Sequence, residues 1–294
     1  LSIVDKFLEK RSSGAIEKNQ SSANPKGEMA FTDHIEALRW HIVRALAAII
    51  ICAIISFFNI NWIFQNVILG PANPNFIAYE MFCNLGKAIH VEALCMTPHA
   101  VKFQNTQLAG QFMMSFSVSF MLGFILAFPY VFWEIWRFIR PALKVSELKY
   151  AKGIVFWSSL LFFIGVLFAY FVIAPFTITF FADYQLAEQF ENIITINNYY
   201  DTMSDLVLGM GLVFELPILV YFLSRISVLT PKLMRDQRRF AIVIIMVLAA
   251  VITPPDWFSI FLVAIPLVIL YEAGIVVSAK ILKEKKQKEQ TLDW

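Results

Sequence analysis

The chain is poor in charge and in the side chains that carry out chemistry. Asp, Glu, Lys and Arg together make up only 16% of its 294 residues, against about 25% in ordinary soluble domains. There are three cysteines and four histidines. His34, His41, His90 and His99 are scattered, and no His-Glu-x-x-His zinc pattern occurs. A Walker-type phosphate loop, a Gly-x-Ser-x-Gly nucleophile elbow and a Cys-x-x-Cys pair are also missing. These absences remove the common catalytic and redox apparatus, so an enzyme is not expected, nor is a metal or cofactor, nor a nucleic-acid partner. A sustained internal repeat is lacking too, which argues against an inverted-repeat transporter.

Apolar length is what the chain has in abundance. It is 59% hydrophobic with 29 Phe and a mean hydropathy of +0.65, as expected of an integral membrane protein in a lipid bilayer. Residues 1–28 are polar and are expected to form a disordered tail. Residues 29–279 are expected to form one all-α membrane domain, with an external insertion at about 61–111 and a charged tail over 280–294. Six segments are long, apolar and nearly uncharged, as spanning helices require: Ile42–Phe64, Phe112–Trp133, Ile154–Phe176, Leu206–Leu223, Phe240–Ile252 and Trp257–Tyr271. The last two are short. At about 1.5 Å per residue they reach roughly 20 and 22 Å, against a hydrocarbon core of about 30 Å.

Basic residues set the orientation. Lys6, Lys10, Arg11, Lys18, Lys26, Arg39 and Arg44 precede or open the first span, and further clusters fill Arg137–Lys152, Arg225–Arg239 and Lys280–Lys288. The alternate loops hold few or no basic residues but carry Asp183, Glu188, Glu191, Asp201, Asp205 and Asp256. Both termini are therefore expected in the cytoplasm. The first apolar run starts too late for the core of a cleavable signal, so the first span is expected to act as its own insertion signal.

A few polar residues stand out against this background. Glu215 lies alone in the run Leu206–Leu223, two residues before Pro217. It sits about 12 Å from the nearer end of that run at roughly 1.5 Å per residue. An ionisable group at that depth costs about 2.5 kcal/mol or more and is usually functional. Glu36, Glu134, Glu147 and Glu272 fall on or near the basic side. Glu147 reads either as a solvated loop acid balancing Lys144 and Lys149 or as a receptor carboxylate, since arginine pairs with carboxylates through a planar fork. Cys83 and Cys95 share the first external loop and are either joined, as the oxidising side favours, or reduced and buried. Cys52 reads as an apolar filler of the first span.

The stretch Phe128–Glu147, with Phe128-Pro129-Tyr130 and Trp133-Glu134-Ile135-Trp136-Arg137-Phe138, resembles the second span and first cytoplasmic loop of the TatC family of twin-arginine translocase subunits. Ser158–Gly165, Phe168–Val172 with Pro175, Phe214-Glu215-Leu216-Pro217, Thr253-Pro254-Pro255-Asp256, Ala264-Ile265-Pro266 and Tyr271-Glu272-Ala273-Gly274 continue the resemblance in order, across roughly residues 30–280.

The resemblance implies a receptor and core subunit in the bacterial inner membrane, with both termini in the cytoplasm. Such a subunit binds twin-arginine signal peptides of folded cargo, recruits single-span TatA/TatB-like subunits and other copies of itself, and uses the proton-motive force. It implies signal-recognition roles for Glu147, Phe138 and Pro129, partner contact at Glu215 beside Pro217, and an external acidic position at Asp256. The family motif His-x-x-Glu-Leu-Arg stands here as His34-Ile35-Glu36-Ala37-Leu38-Arg39. Ala37 takes the place of the motif's Glu, and Glu36, one residue and about 100° of helix earlier, is the candidate replacement. Two rival readings remain: a proton-coupled secondary transporter using Glu215, which predicts solute movement by this chain alone in liposomes, and a purely structural scaffold.

Overall fold

The computed structural model describes residues 31–92, 95, 102–142, 153–187, 192–254 and 256–292. The chain divides into two units, 1–42 and 43–294. The described part of the first unit is helical, and its side chains at Ile35, Glu36, Leu38, Arg39 and Trp40 are exposed. It is the start of helix α1 (Phe31–Phe58), most of which belongs to the second unit.

Within the second unit the chain breaks at Asn59 and continues through α2 (Ile60–Ile63), a π turn over Phe64–Ile68 and a 3-10 turn over Gly70–Ala72. Then follow α3 (Ile77–Ile89), β1 (Phe103–Gln104), α4 (Gly110–Ile139), α5 (Ile154–Phe168), α6 (Ala174–Asp183) and β2 (Ile194–Thr195). The chain ends with α7 (Ile196–Val213), α8 (Leu216–Arg225), α9 (Pro231–Asp236), α10 (Arg238–Ile252) and α11 (Trp257–Leu292). The strands form a single parallel pair with Phe103 opposite Ile194. Cys83 of α3 is bonded to Cys95 through a disulfide.

Five helical stretches among the described residues are long and apolar enough to cross a membrane: Ile35–Phe58, Gly110–Ile139, Ile154–Asp183, Ile196–Arg225 and Trp257–Lys285. The sixth expected span falls on α10, which has 15 residues. The expectation of a short last helix is corrected. α11 runs for 36 residues, because Glu272, which marked the end of the apolar run in sequence, is paired with Arg238 of α10 at 2.9 Å. With no proline or glycine pair after Tyr271, nothing stops the helix there. Instead Glu284 bonds Arg225 at 2.7 Å, and Lys285 donates to the Arg225 carbonyl at 2.6 Å, tying α11 to the end of α8.

Burial is arranged as lipid solvation demands. Ile265, Ile269, Val251, Phe156 and Phe240 are exposed, while Ser158, Thr177, Ser259 and Ser278 are closed off. With apolar solvent outside, helices gain little by hiding leucine and associate through small residues and hydrogen bonds. The aromatic centre of the core is Phe128 stacked on Phe162 at 3.5 Å between centroids. The third span carries a π turn over Ala169–Ile173. There the Ala174 N–H reaches back five residues to the Ala169 carbonyl, absorbing the mismatch that Pro175 imposes by lacking a donor.

The irregular segment after α1 has backbone groups that no helix satisfies. Three tyrosines do so from three different elements. Tyr170 donates to the Val67 carbonyl at 2.6 Å, Tyr199 to that of Ile68 at 2.7 Å, and Tyr79 to that of Pro71 at 2.6 Å. Burial pushes the Tyr79 phenol above its ordinary pKa, which keeps the donor proton in place. Replacing Tyr199 by Phe leaves a buried carbonyl without its donor and is expected to cost about 1–3 kcal/mol. Thermal unfolding in detergent checks this, and an unshifted midpoint would show that the hydroxyl does not hold the segment.

Candidate functional site

Glu215 sits where one long apolar passage is cut in two. α7 stops at Val213 and α8 restarts at Leu216. Pro217 has no N–H to offer the Val213 carbonyl, so the ladder must break one turn ahead of it. The Glu215 N–H turns to Leu212 at 3.1 Å, and the Glu215 carbonyl accepts from both Ile218 and Leu219 at 3.0 Å. The side chain at the break is therefore held by backbone on both sides.

The neighbouring helix supplies the carboxylate's partner. Ser158 of α5, itself fully buried, donates to Glu215 Oε2 at 2.7 Å. The other oxygen, Oε1, is buried and has no hydrogen-bond partner. Ser158 reaches this point because α5 and α7 cross closely: a Cβ on Gly165 would lie 2.7 Å from the Met210 carbonyl and 2.8 Å from the Phe214 Cβ. Gly165 lies seven residues after Ser158, about two turns on, and so shares its face.

Glu215 lines an apolar recess of ≈ 160 Å³. Its walls are Phe132, Ile135, Trp136 and Ile139 of α4, Ile154 of α5, and Ile218, Leu219 and Phe222 of α8. A second recess of ≈ 330 Å³, containing Pro217, Trp157, Leu161 and Tyr221, shares Ile154 and Ile218 with it. Chemically the arrangement is an apolar trough beside a carboxyl group that has one buried, unsatisfied oxygen. It offers a hydrogen-bond acceptor to something otherwise apolar.

The same end of α4 presents a different face to α1. Tyr130, Glu134 and Phe138 recur at four-residue spacing and so line up along the helix. Glu134 is 1% exposed and accepts from Tyr130 at 3.1 Å, and its Oε1 lies 3.2 Å from Arg44 Nε. Pro129, inside α4, and Phe138 are half-buried. Arg137 lies over the Trp133 ring at 5.6 Å.

The remaining sequence-derived candidates are dispersed. Glu147 lies outside the described residues, and Glu36 is an exposed residue of the first unit. Asp256 caps α11: its Oδ1 accepts from the Ser259 N–H at 2.7 Å, while Oδ2 is buried without a partner. The sequence reading missed Ser158 as the partner of Glu215 and Arg44 as the partner of Glu134. Arg44 is the lone basic residue in its apolar run and Glu134 the lone acid at the end of the next, a pattern from which their pairing could have been read.

The family model described as "Sec-independent protein translocase protein (TatC)" matches residues 33–266. The chain is 40% identical over 264 residues to the Sec-independent protein translocase protein TatC of Blattabacterium sp. subsp. Periplaneta americana, covering 89% of this chain and 99% of that one. It is 32% identical to the protein of the same name from Carboxydothermus hydrogenoformans, covering 88% and 96%. A crystal structure of the twin-arginine translocase receptor TatC in the detergent DDM superposes with a TM-score of 0.68 at 27% identity, covering 83% of this chain and 99% of that one.

The crossing of α5 and α7 generates a direct expectation. Gly165→Leu forces the Met210 carbonyl and Phe214 away and is expected to destabilise the protein by about 1–3 kcal/mol, as overpacking does, with Gly165→Ala milder. Thermal unfolding measures both, and a Leu variant as stable as the parent would show that the close crossing is not required.

Proposed function

Because the chain belongs to the TatC family of Sec-independent protein translocase proteins, we propose that it is the signal receptor and core subunit of a twin-arginine translocase. In this reading it binds twin-arginine signal peptides and assembles with single-span TatA/TatB-like subunits and further copies of itself. The assembly exports folded proteins across the bacterial inner membrane with the proton-motive force, and this subunit carries out no hydrolysis. The polar tail over 1–28 and the charged tail over 280–294 lie in the cytoplasm, on either side of a six-span membrane domain over 29–279.

The observation that carries the reading is the carboxylate of Glu215, half satisfied by Ser158 and facing an apolar recess with its second oxygen unpaired. A buried acceptor of this kind gains about 1–3 kcal/mol when a donor arrives. A single-span helix brings both an apolar face for the trough and a polar group for the oxygen, and Pro217 holds the trough's edge. A solute site would instead need convergent polar groups, which the two recesses lack. Asp256 has an external role beyond capping in this reading, held by its unpaired Oδ2.

In this reading Glu147 and Glu36 accept the arginines of the signal, and Phe138 and Pro129 take part in its recognition. A charge-assisted hydrogen bond to a guanidinium contributes about 1.5–3 kcal/mol, and lysine cannot reproduce the fork. Glu147→Gln is therefore expected to weaken a purified twin-arginine peptide about tenfold or more, and a twin-lysine peptide should bind the parent protein comparably weakly. Binding isotherms in detergent test this, and unchanged affinity in the variant would remove Glu147 from the site.

A further inference from the structure

The ion pair between Arg44 and Glu134 buries its acid, where the other two described pairs leave theirs open. In Arg225–Glu284 and Arg238–Glu272 the acid is 39% and 43% exposed. In Arg44–Glu134 the acid is 1% exposed and the arginine 42%. The base here is the cover and the acid is what it covers. Resting on the receptor reading above, we propose that Glu134 is a further acceptor for a guanidinium of the incoming signal peptide, and that Arg44 is the resident guanidinium it displaces.

The position fits. Glu134 lies one turn before Phe138 on the same face of α4 and about five residues from the end of that helix, next to a residue that takes part in signal recognition in the receptor reading. Of the pair, only the Arg44 side chain is open at the protein surface, at 42% against 1% for Glu134, although the Nε that faces the acid is itself buried.

The energetics favour exchange of like for like. Stripping the cation from a buried carboxylate is strongly unfavourable, so Arg44 leaves only as another cation takes its place. A second guanidinium restores the ion pair and brings a planar fork of donors, whereas the ammonium of lysine is a strongly hydrated point charge. The exchange is near balance for arginine and uphill for lysine, which is discrimination obtained without an open binding pocket. Tyr130, donating to Glu134 at 3.1 Å, keeps the carboxylate oriented while the partner changes.

The exchange does not require α1 to detach. α1 and α4 also meet at Ala53 and Gly123, where a Cβ on the glycine would lie 2.8 Å from the Ala53 backbone nitrogen. That contact is nine residues along α1 from Arg44, about 13 Å at roughly 1.5 Å per residue, so it holds the helices together when the ion pair opens.

The test measures twin-arginine and twin-lysine peptide affinity for the full chain in detergent. Glu134→Gln is expected to weaken twin-arginine binding about tenfold and to narrow the arginine-over-lysine preference. Arg44→Ala is expected to tighten twin-arginine binding severalfold, because the resident competitor is gone. The charge swap Arg44→Glu with Glu134→Arg preserves a brace between the helices but moves the carboxylate, so binding should remain weak. Full recovery of binding in the swap would show that the pair is only a brace and overturn the proposal. Normal binding by Glu134→Gln together with loss in Glu147→Gln would overturn it and leave the receptor reading standing. Normal binding in both would take both acids out of the site and overturn the proposal, whereas no twin-arginine binding by the parent chain would remove the receptor reading itself. Unchanged or weaker binding in Arg44→Ala would overturn the role of Arg44 as the displaced group.

Discussion

A carboxyl group carried into hydrocarbon must find hydrogen-bond donors, because leaving even one of its oxygens unmatched costs on the order of 1–3 kcal/mol. Glu215 meets that constraint only in part. Ser158 satisfies one oxygen, and the other is closed off from water with no partner. Much of the surrounding structure follows from putting an acid there. Pro217 breaks the helix so that the side chain leaves at a corner, and Gly165 lets α5 approach closely enough for Ser158 to reach. The aromatic end of α4 then shapes a trough against which the unpaired oxygen waits.

The second buried acid, Glu134, meets the same constraint with a resource internal to the chain. Tyr130 donates to its Oε1, and Arg44 Nε lies 3.2 Å from the same oxygen as an ion pair. The two acids lie on either side of one helix end. Trp136 and Ile139 of α4 face the Glu215 recess, while Tyr130, Glu134 and Phe138 line up along the other side. α4 thus lends one face to the surroundings of each acid. The disulfide between Cys83 and Cys95 and the three tyrosine bonds to the segment after α1 brace a separate part of the molecule.

The parts of this arrangement that depend on local composition were legible in the sequence. Apolar length marked the spans, and Glu215 stood out as a lone acid beside a proline. The parts that depend on a distant partner were not. Glu272 looked like the end of the last span because its cation, Arg238, lies 34 positions away. Ser158 lies 57 positions from Glu215 and by itself is an ordinary serine in an apolar run. Arg44 counted toward membrane orientation, and only its standing as the lone base of its run, opposite the lone acid closing the next, hinted at Glu134. Spacing alone left Cys83 and Cys95 with two readings. The cap at Asp256 was readable in principle, since aspartate three residues before a helical N–H is a preferred N-cap, but its position suggested function before it suggested structure.

The central claim is that the free oxygen of Glu215 and its trough are completed by a helix from another polypeptide. The most direct measurement places a photo-crosslinking side chain at Leu219, which lines the recess and is 53% exposed, and identifies its adducts in membranes. A single-span subunit captured when Glu215 is present, and lost in Glu215→Ala, is the predicted result. Adducts to lipid alone, or capture of the same subunit regardless of residue 215, would contradict it.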